Sequence, residues 1–253
     1  MAIRYDFSGR VALVTGGSSG LGEAIALGFA EAGAQVVITG RNQTRLDAVR
    51  AAVATHGNRA LAIKADLRRR DEIRESVRKT LDAFGKIDIL VNSAGIFQTA
   101  PVLETGDELW DEVLAVNLSG TFLYCREVAK SMVKASYGRI VNIASVDALT
   151  AVPGEVAYCV SKSGVVALTR VFAVELAKSG VHVNAVAPCD FDTPMVAEYL
   201  SQPGNLEATL SAVPAGRIGK PSELVPAVLY LASEEASMTV GHTLVVDGGR
   251  TII

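Results

Sequence analysis

Tyr158 and Lys162 are four residues apart, so on a helix their side chains lie on one face. A free tyrosine has a pKa of about 10, which is too high for a base at neutral pH. A neighbouring ammonium group favours the phenolate and lowers that pKa. The pair therefore predicts a proton-transfer site, with Tyr158 as the acid or base. A surface helix with an exposed Tyr and Lys is the alternative, because this spacing also arises by chance.

Ser145 precedes Tyr158 by thirteen residues and directly follows the β-branched run Arg139–Ala144. Such a run is typical of a buried strand. In a parallel sheet, ligands bind outside the carboxyl ends of the strands. We therefore predict that the Ser145 hydroxyl polarises a carbonyl close to Tyr158.

A glycine-rich turn joins the first apolar run, Val11–Val14, to an amphipathic segment. Its pattern is Thr-Gly-x-x-x-Gly-x-Gly, which is neither the common GxGxxG nor the P-loop GxxxxGK[ST]. In a doubly wound sheet, glycines at this turn let the backbone approach a pyrophosphate, and the helix N-terminus offers N–H donors. The turn predicts dinucleotide binding rather than ATP hydrolysis, with a purely geometric tight turn as the alternative. The predicted contacts are Gly16, Ser18, Ser19, Gly20, Leu21 and Gly22.

The end of the second apolar run, Val36–Thr39, bears on the choice between the two nicotinamide cofactors. An Asp or Glu there would bind the adenosine ribose 2′-OH, but the chain continues with Gly40 and Arg41. Arg41 offers a 2′-phosphate a planar charged fork, so NADP(H) is favoured over NAD(H). Alternatively, Arg41 stacks on adenine or faces solvent, and such a site still accepts NAD(H).

Seven short β-branched runs alternate with segments of helical length and periodicity. Near-continuous apolar strands that alternate with helices predict a parallel sheet covered on both faces, the doubly wound α/β architecture. The strand-free stretch Cys189–Arg217 predicts a substrate lid at about 189–215. The predicted strands are Val11–Val14, Val36–Thr39, Leu61–Ala65, Ile87–Val91, Arg139–Ala144, Val181–Ala187 and Thr243–Val246. The predicted helices are Leu21–Ala32, Leu46–Thr55, Glu72–Phe84, Trp110–Lys134, Val156–Lys178 and Glu223–Ala232.

The composition excludes several classes of protein. With 49% hydrophobic and 20% charged residues, the 253-residue chain is that of a compact folded protein. The net charge is −3 and the longest basic run is Arg68–Arg70, so no nucleic-acid partner is predicted. The segment Met1–Phe7 has no apolar core, and no run approaches the roughly 18 apolar residues of a membrane span. We therefore predict neither a leader nor a membrane association.

The cysteines and histidines carry no recognisable site. Three cysteines without a CxxC pair argue against a disulfide framework and favour a reducing, cytoplasmic location. The histidines are scattered without ligand spacing, so no metal is predicted. These residues are Cys125, Cys159, Cys189, His56, His182 and His242.

Considered together, the motifs have an order and spacing that resemble the short-chain dehydrogenase/reductase family of about 250 residues. The resemblance covers essentially the whole chain, including the tail segments Pro214–Glu223 and Thr243–Gly249. The motifs that carry it are the glycine-rich turn, Asn92-x-Ala-Gly95, Asn117, Ser145 and Tyr158-x-x-x-Lys162.

The resemblance implies one Rossmann-type domain over residues 1–253, with a seven-stranded parallel sheet and helices on both faces. It implies an NAD(P)-dependent oxidoreductase that transfers a hydride between the cofactor and a ketone or secondary alcohol, with Tyr158 as general acid/base. Ser145 would hold the substrate oxygen, while Lys162 would lower the pKa of Tyr158 and bind the nicotinamide ribose. Asn117 would hold a water that links Lys162 to solvent.

The resemblance also implies further contacts and an assembly. The expected partner is a small carbonyl or alcohol substrate, and the expected assembly is a homotetramer, with a dimer as the alternative. Asp66 would accept from the adenine amino group. Additional cofactor contacts are expected from Leu67, Asn92, Ala94, Gly95, Pro188, Phe191 and Thr193.

The chain departs from the family after Pro188, where Cys189 replaces the usual glycine. One interpretation is tolerated drift with a slight backbone adjustment. The other is that Cys189 or Asp190 shapes a polar substrate pocket. Without a histidine in an activating position, neither Cys159 nor Cys189 is interpreted as a nucleophile.

The substrate stays open at the level of sequence. A small polar ketone, a sugar or polyol, and a 3-oxoacyl thioester all suit the mixed apolar and acidic residues near the site, which include Asp147. The alternative function is a dinucleotide-binding sensor or scaffold without turnover, because fold alone does not give function.

Overall fold

Seven parallel strands form a single sheet in a computed structural model, which describes residues 5–253. The strand order is β3-β2-β1-β4-β5-β6-β7, so the direction of winding reverses between β1 and β4. The strands are β1 Val11–Thr15, β2 Gln35–Gly40, β3 Ala60–Lys64, β4 Ile89–Asn92, β5 Gly138–Ile143, β6 Val181–Pro188 and β7 Thr243–Val246. The predicted doubly wound parallel sheet is confirmed. The interpretation of Met1–Phe7 lies partly outside the described residues.

The sheet is apolar on both faces because helices cover both. Within β1, Ala12 and Val14 face one core, while Val11 and Leu13 face the other. Helices α1, α2 and α9 pack against the first face, and α3, α5 and α6 against the second. Their bounds are α1 Gly20–Glu31, α2 Gln43–Ala54, α3 Arg70–Phe84, α5 Thr121–Ala135, α6 Val156–Leu176 and α9 Pro221–Ala232.

The predicted helix Trp110–Lys134 is helical throughout, but it is not α-helical throughout. It begins earlier, as α4 Asp107–Leu114, and a π-helical turn, Ala115–Gly120, separates it from α5. Two tertiary contacts favour this interruption. The Asn117 side chain is hydrogen-bonded to the backbone of Ile96, and Gly120 packs so closely on Leu67 that a Cβ would lie 2.8 Å from it. The helical periodicity of the sequence cannot predict either of these tertiary contacts.

The stretch 189–215, predicted to lack strands, has regular structure of another kind. It contains two short helices, α7 Pro194–Ser201 and α8 Asn205–Ser211. Pro194 occupies the first turn of α7, where its missing N–H costs no hydrogen bond, and Gly204 provides the left-handed turn before α8. Pro194 and Gly204 therefore mark the starts of these two helices.

Among residues 5–253, the helix Val156–Ser179 is, by length and composition, long and apolar enough to cross a membrane. In the structure, this helix covers the sheet beside β6 and buries Tyr158, Ser161 and Lys162. Core helices of folded proteins have the same length and composition, so these two properties do not by themselves indicate a membrane span.

Candidate active site

The glycine-rich turn after β1 packs closely against the backbone that follows β4, at the point where the strand order of the sheet reverses. A Cβ on Gly16 would lie 2.7 Å from Ala94 Cα, and a Cβ on Gly22 would lie 2.3 Å from the Gly16 carbonyl oxygen. Thr15 Oγ1 accepts hydrogen bonds from the Ser93 and Ala94 N–H groups at 3.1 and 3.2 Å. This packing leaves the N-terminus of α1 open to a cleft, a cradle that fits a dinucleotide pyrophosphate.

The adenosine end of the cleft is lined by charged groups after β2 and β3. Arg41 is exposed at the rim of the cleft. The preceding residue, Gly40, lies against Ser18, so a Cβ built on Gly40 would lie 2.9 Å from Ser18 Oγ. Asp66 faces the same cleft and pairs with Arg68, with 2.6 Å between Oδ2 and Nη2. The hydrogen bond from Arg68 lowers the pKa of Asp66, so its carboxylate is ionised and can accept a hydrogen bond.

Tyr158, Lys162 and Ser145 converge deeper in the cleft. Tyr158 is 8% exposed, and its ring packs edge-to-face on Phe97, with 5.1 Å between centroids. Lys162 is 5% exposed, lies 5.6 Å from the Tyr158 ring centroid, and donates a 2.9 Å hydrogen bond to the Ile143 carbonyl. Ser145 is buried at the start of the short helix that follows β5. A helix face and a strand end thus bring the three predicted groups together.

The protein's own groups raise the pKa of Tyr158, contrary to the sequence-based expectation of a lowered value. Burial is the largest cause and the negative charge of Asp147 adds to it, while a hydrogen bond with Ser145 opposes them. Burial also lowers the pKa of Lys162 to about 8, so its ammonium form is itself weakened. The sequence-based expectation counted the ammonium charge and not the cost of burying a phenolate, which is the largest of the causes that raise this pKa.

Ser145 is held by Asp147. The Ser145 hydroxyl donates to Asp147 Oδ2 at 2.8 Å and accepts from the Asp147 N–H at 3.1 Å. Asp147 Oδ1 is buried and receives no hydrogen bond from residues 5–253. Asp147 therefore positions the serine through one oxygen, while Arg250 Nη2 lies 4.0 Å from the other.

Glu155 and Arg250 also line the cleft, and sequence reasoning missed both. Glu155 lies immediately before α6, is 7% exposed, and its Oε2 is buried without a donor from the described chain. Arg250 pairs with Asp190 at 2.6 Å and reaches to 4.0 Å of Asp147. The signal for Glu155 is an acidic residue three positions before Tyr158. The signal for Arg250 is a basic residue after a turn capped by Asp247, whose carboxylate accepts three hydrogen bonds.

Glu155 is expected to lower the stability of the folded protein at neutral and alkaline pH. Burial, reinforced by the charge of Asp147, raises its pKa from 4.5 to about 7. The folded state therefore binds more protons than the unfolded state between these values, so stability falls as pH rises through this window. Glu155→Gln carries no charge to bury, and we expect it to be more stable at pH 8 by up to about 3 kcal/mol.

Denaturant unfolding at pH 8 and pH 4, at one protein concentration, measures this difference. The gain should vanish at pH 4, where Glu155 is protonated in both states. Glu198→Gln, the same change at an exposed position of α7, should alter stability at neither pH. A gain of equal size at both pH values would refute a charge origin.

Cys189 occupies its position without backbone strain. Ser136 is the one non-glycine residue with positive φ within residues 5–253, so the backbone at 189 does not require glycine. Burial raises the pKa of the Cys189 thiol to about 11, which keeps it protonated. Its side chain packs against the edge of a core cluster. These observations favour tolerated substitution at Cys189, while its neighbour Asp190 is engaged by Arg250.

The segment after β6 closes one side of the cleft. Thr193 sits over the glycine turn, with its Cβ 3.2 Å from a Cβ built on Gly20. Tyr199 of α7 packs edge-to-face on Phe97, with 5.9 Å between centroids. The aromatic rings therefore connect this segment to Tyr158.

Most of the predicted site residues line this one cleft, and two lie behind it. Asn92 donates to Asn142 Oδ1 at 2.8 Å inside the sheet, so its side chain does not reach the cleft. Asn117 donates to the Ile96 carbonyl and to Ser161 Oγ, and its Oδ1 accepts from the Ile96 N–H. Within residues 5–253, no group of three or more His, Cys, Asp or Glu is placed to hold a metal. The predicted residues that line the cleft are Gly16, Ser18, Ser19, Gly20, Leu21, Gly22, Arg41, Asp66, Leu67, Ala94, Gly95, Ser145, Tyr158, Lys162, Pro188, Phe191 and Thr193.

Comparison with known proteins gives matches over nearly the full chain. A family model described as enoyl-(acyl carrier protein) reductase matches residues 16–251. The 3-oxoacyl-[acyl-carrier-protein] reductase of Thermotoga maritima is 39% identical, over 96% of this chain and 98% of its own. The D-threitol dehydrogenase of Mycolicibacterium smegmatis is also 39% identical, over 100% and 97% of the two chains. The chain belongs to the short-chain dehydrogenase/reductase family.

Solved structures of family members have the same fold. A gluconate 5-dehydrogenase from Burkholderia cenocepacia, in complex with NADP and tartrate, superposes with a TM-score of 0.94 at 34% identity, over 99% of this chain and 98% of its own. The predictions of family, Rossmann-type fold and enzyme class are confirmed. The protein is an NAD(P)-dependent oxidoreductase that acts on CH–OH and C=O groups.

Proposed function

We propose that this enzyme interconverts a ketone and a secondary alcohol with NADP(H) in preference to NAD(H), and that Tyr158 exchanges the proton with the substrate oxygen. The observation that carries the proposal is the convergence of Tyr158, Lys162 and Ser145 in the cleft that the glycine-rich turn opens. Cofactor absorbance, followed over a panel of carbonyl and alcohol substrates with NADPH and NADH, tests it. Turnover of none of them would refute it.

The nicotinamide supplies or accepts the hydride when it is bound. The Ser145 hydroxyl, held by Asp147, orients and polarises the substrate oxygen. Tyr158 donates its proton to that oxygen during reduction and removes it during oxidation. Lys162 binds the nicotinamide ribose and places its ammonium nitrogen 5.6 Å from the centroid of the Tyr158 ring. Phe97 excludes water from one side of Tyr158.

Asn117 acts by positioning rather than by contact with the substrate. Its side chain ties the π-helical turn to the backbone of Ile96, next to Gly95 of the cleft wall. A Cβ built on Gly95 would lie 3.4 Å from Asn117 Oδ1 and 3.7 Å from Lys162 Nζ, so the amide and the ammonium are near neighbours. We propose that Asn117 holds a water through which protons pass between Lys162 and solvent.

Replacing Arg41 by Asp is expected to reverse the cofactor preference. Arg41 lines the rim after β2, where the fold presents the adenosine ribose to the protein. The aspartate would accept from a 2′-OH and repel a 2′-phosphate, so the ratio of kcat/KM for NADPH over NADH should fall by roughly 100-fold.

The control is Arg50→Asp, which makes the same charge change on α2, away from the lining residues. It should leave the ratio within about threefold of the wild type. An unchanged ratio in Arg41→Asp would refute the assigned role of Arg41.

We also propose a substrate lid, an oligomeric assembly and a cellular location for this protein. We propose that the segment 189–215, with α7 and α8, covers the substrate in a single-domain protein of residues 1–253. The free cysteines at 125, 159 and 189 support a reducing, cytoplasmic location. Exposed apolar side chains on α5 and α6 support an oligomer, for which we propose a homotetramer with a dimer as the alternative, since exposed apolar patches mark interaction surfaces. These side chains are Phe122, Val160, Val171 and Val174.

A further inference from the structure

The C-terminal turn after β7 directs Arg250 back toward the cleft. The Asp247 carboxylate accepts hydrogen bonds from the Gly249 N–H at 2.9 Å, the Thr251 N–H at 2.7 Å and the Thr251 hydroxyl at 2.8 Å. Gly248 and Gly249 both have positive φ, which lets the backbone reverse its direction within two residues. The turn is thus fixed on both sides of Arg250, whose side chain lines the cleft and is 23% exposed.

Arg250 faces two carboxylates through different nitrogen atoms. Its Nη1 pairs with Asp190 Oδ2 at 2.6 Å, and its Nη2 lies 4.0 Å from Asp147 Oδ1. The Asp147 carboxylate in turn accepts the Ser145 hydroxyl through its other oxygen, Oδ2, at 2.8 Å. Side chains that follow β5, β6 and β7 therefore form one connected chain, which runs from Asp190 through Arg250 and Asp147 to Ser145.

Arg250 is the cation that offsets the negative charge at this end of the cleft. Three carboxylates line it, those of Asp147, Glu155 and Asp190. Burial is the main reason that the pKa values of Glu155 and Asp190 are raised, and in both the charge of Asp147 adds to the rise. The charge of Arg250 opposes the rise in both. The Lys162 ammonium group donates its hydrogen bond to a carbonyl of β5 instead.

Loss of the guanidinium would leave Asp147 without a counter-charge. Its side chain is 14% exposed, so water stabilises the carboxylate only in part. Without Arg250, this carboxylate would face the like charges of Glu155 and Asp190. Removal of one partner from such a buried group is costly, and Asp147 would relieve the cost by turning toward solvent. A displaced Asp147 no longer reaches the Ser145 hydroxyl.

The place of Ser145 Oγ matters because this atom has to meet the substrate oxygen beside Tyr158. In the structure, the hydroxyl proton points at Asp147. Rotation about the Cβ–Oγ bond redirects the proton to a substrate oxygen without moving Oγ itself. The position of Oγ therefore depends on Asp147, and the position of Asp147 depends on Arg250.

We propose that Arg250 is a positioning residue of the active site, which acts through Asp147 to hold the Ser145 hydroxyl where it meets the substrate oxygen. Asp190 supports this role by binding the guanidinium. Arg250 takes no part in hydride or proton transfer itself. The inference rests on the proposed function, because Ser145 has its role in that reaction.

Arg250→Met removes the guanidinium and keeps a long apolar side chain. We expect kcat to fall by roughly tenfold, the effect of one hydrogen bond to a charged group. Arg250→Lys keeps the positive charge without the fork and should recover most of this loss. The probe is the reduction of 2,3-butanedione with NADPH. If the wild type does not reduce this ketone, the probe is the carbonyl compound of the panel that it reduces fastest.

A double-mutant cycle with Ser145→Ala separates positioning from general damage. The Ser145→Ala enzyme has no hydroxyl to hold, so adding Arg250→Met should lower its remaining kcat by less than about threefold. An equal loss in the two backgrounds overturns the proposal, because Arg250 would then not act through the serine. Asp190→Asn removes the partner of the guanidinium, and it takes the place of Arg250→Met in the cycle if that variant fails to fold.

Arg78→Met is the matched control. Arg78 also pairs with two carboxylates, those of Glu75 at 2.7 Å and Asp82 at 2.6 Å, but it lies on α3 outside the cleft lining. Its kcat should stay within about threefold of the wild type. A similarly small change in Arg250→Met overturns the proposal.

Crystal structures of the unliganded wild type and of Arg250→Met give a measurement that is independent of turnover. The wild type should keep the 2.8 Å hydrogen bond between Ser145 and Asp147, and the variant should lose it. An unmoved pair in the variant overturns the proposal. Inactivity of the wild type on every carbonyl with either cofactor refutes the proposed function instead, and the two structures then still decide whether Arg250 holds the serine.

Discussion

Tyr158→Phe should lower kcat by about 10³-fold, within the range that general acid–base catalysis contributes. The substitution removes the hydroxyl and keeps the ring that packs at 5.1 Å on Phe97. The fold and the cofactor cradle should therefore survive, so cofactor binding, measured by fluorescence titration, should change little. The loss should appear in both reaction directions, because the same hydroxyl donates and accepts the proton.

Tyr199→Phe provides the matched comparison for Tyr158→Phe. Tyr199 packs on the same Phe97 ring and lines the same cleft, so it loses a hydroxyl in a similar environment. We expect a reduction in kcat of less than about tenfold, because this hydroxyl takes no part in proton transfer. If Tyr158→Phe kept more than a tenth of the wild-type kcat, another group would have to be the acid. The same experiment separates an enzyme from a dinucleotide sensor, because the wild-type sensor would bind the cofactor and turn over no substrate.

Gly22→Ala should weaken cofactor binding by roughly 100-fold, because it misplaces the backbone that faces the pyrophosphate. The new methyl group would lie 2.3 Å from the Gly16 carbonyl oxygen and 2.7 Å from its carbonyl carbon, and neither atom can move without opening the turn. Titration of the folded variant with NADPH and NADH measures the loss, and both affinities should fall together, since both cofactors carry the pyrophosphate.

Gly28→Ala, two turns further along α1, is the control for that change. Its Cβ would also meet an atom at 2.3 Å, but that atom is the Val225 Cγ1 methyl group on α9, which does not line the cleft. Ala is also a better helix former than Gly by up to about 1 kcal/mol. Gly28→Ala should therefore bind cofactor like the wild type. Equal losses in both variants would show that crowding of α1, and not the turn, is responsible.

The sequence by itself determined the parts of this protein that depend on local geometry. Tyr158 and Lys162 share a helix face because the helical repeat places residues four apart together. The glycines of the first turn mark the cradle because side chains cannot fit there. Apolar runs that alternate with helical segments were sufficient to predict the parallel sheet, since strands buried on both faces have few polar residues.

Tertiary structure decided where distant side chains meet and what burial does to them. Arg250 reaches Asp190 and Asp147 only because β7 lies beside β6 and the capped turn after it points back at the cleft. Asn92 belongs to a recognisable motif, yet its side chain points into the sheet toward Asn142. The pKa of Tyr158 is raised rather than lowered because its phenol is buried by residues from several parts of the chain, and burial disfavours the phenolate. Such contacts join residues far apart in the chain, and local spacing carries no information about them.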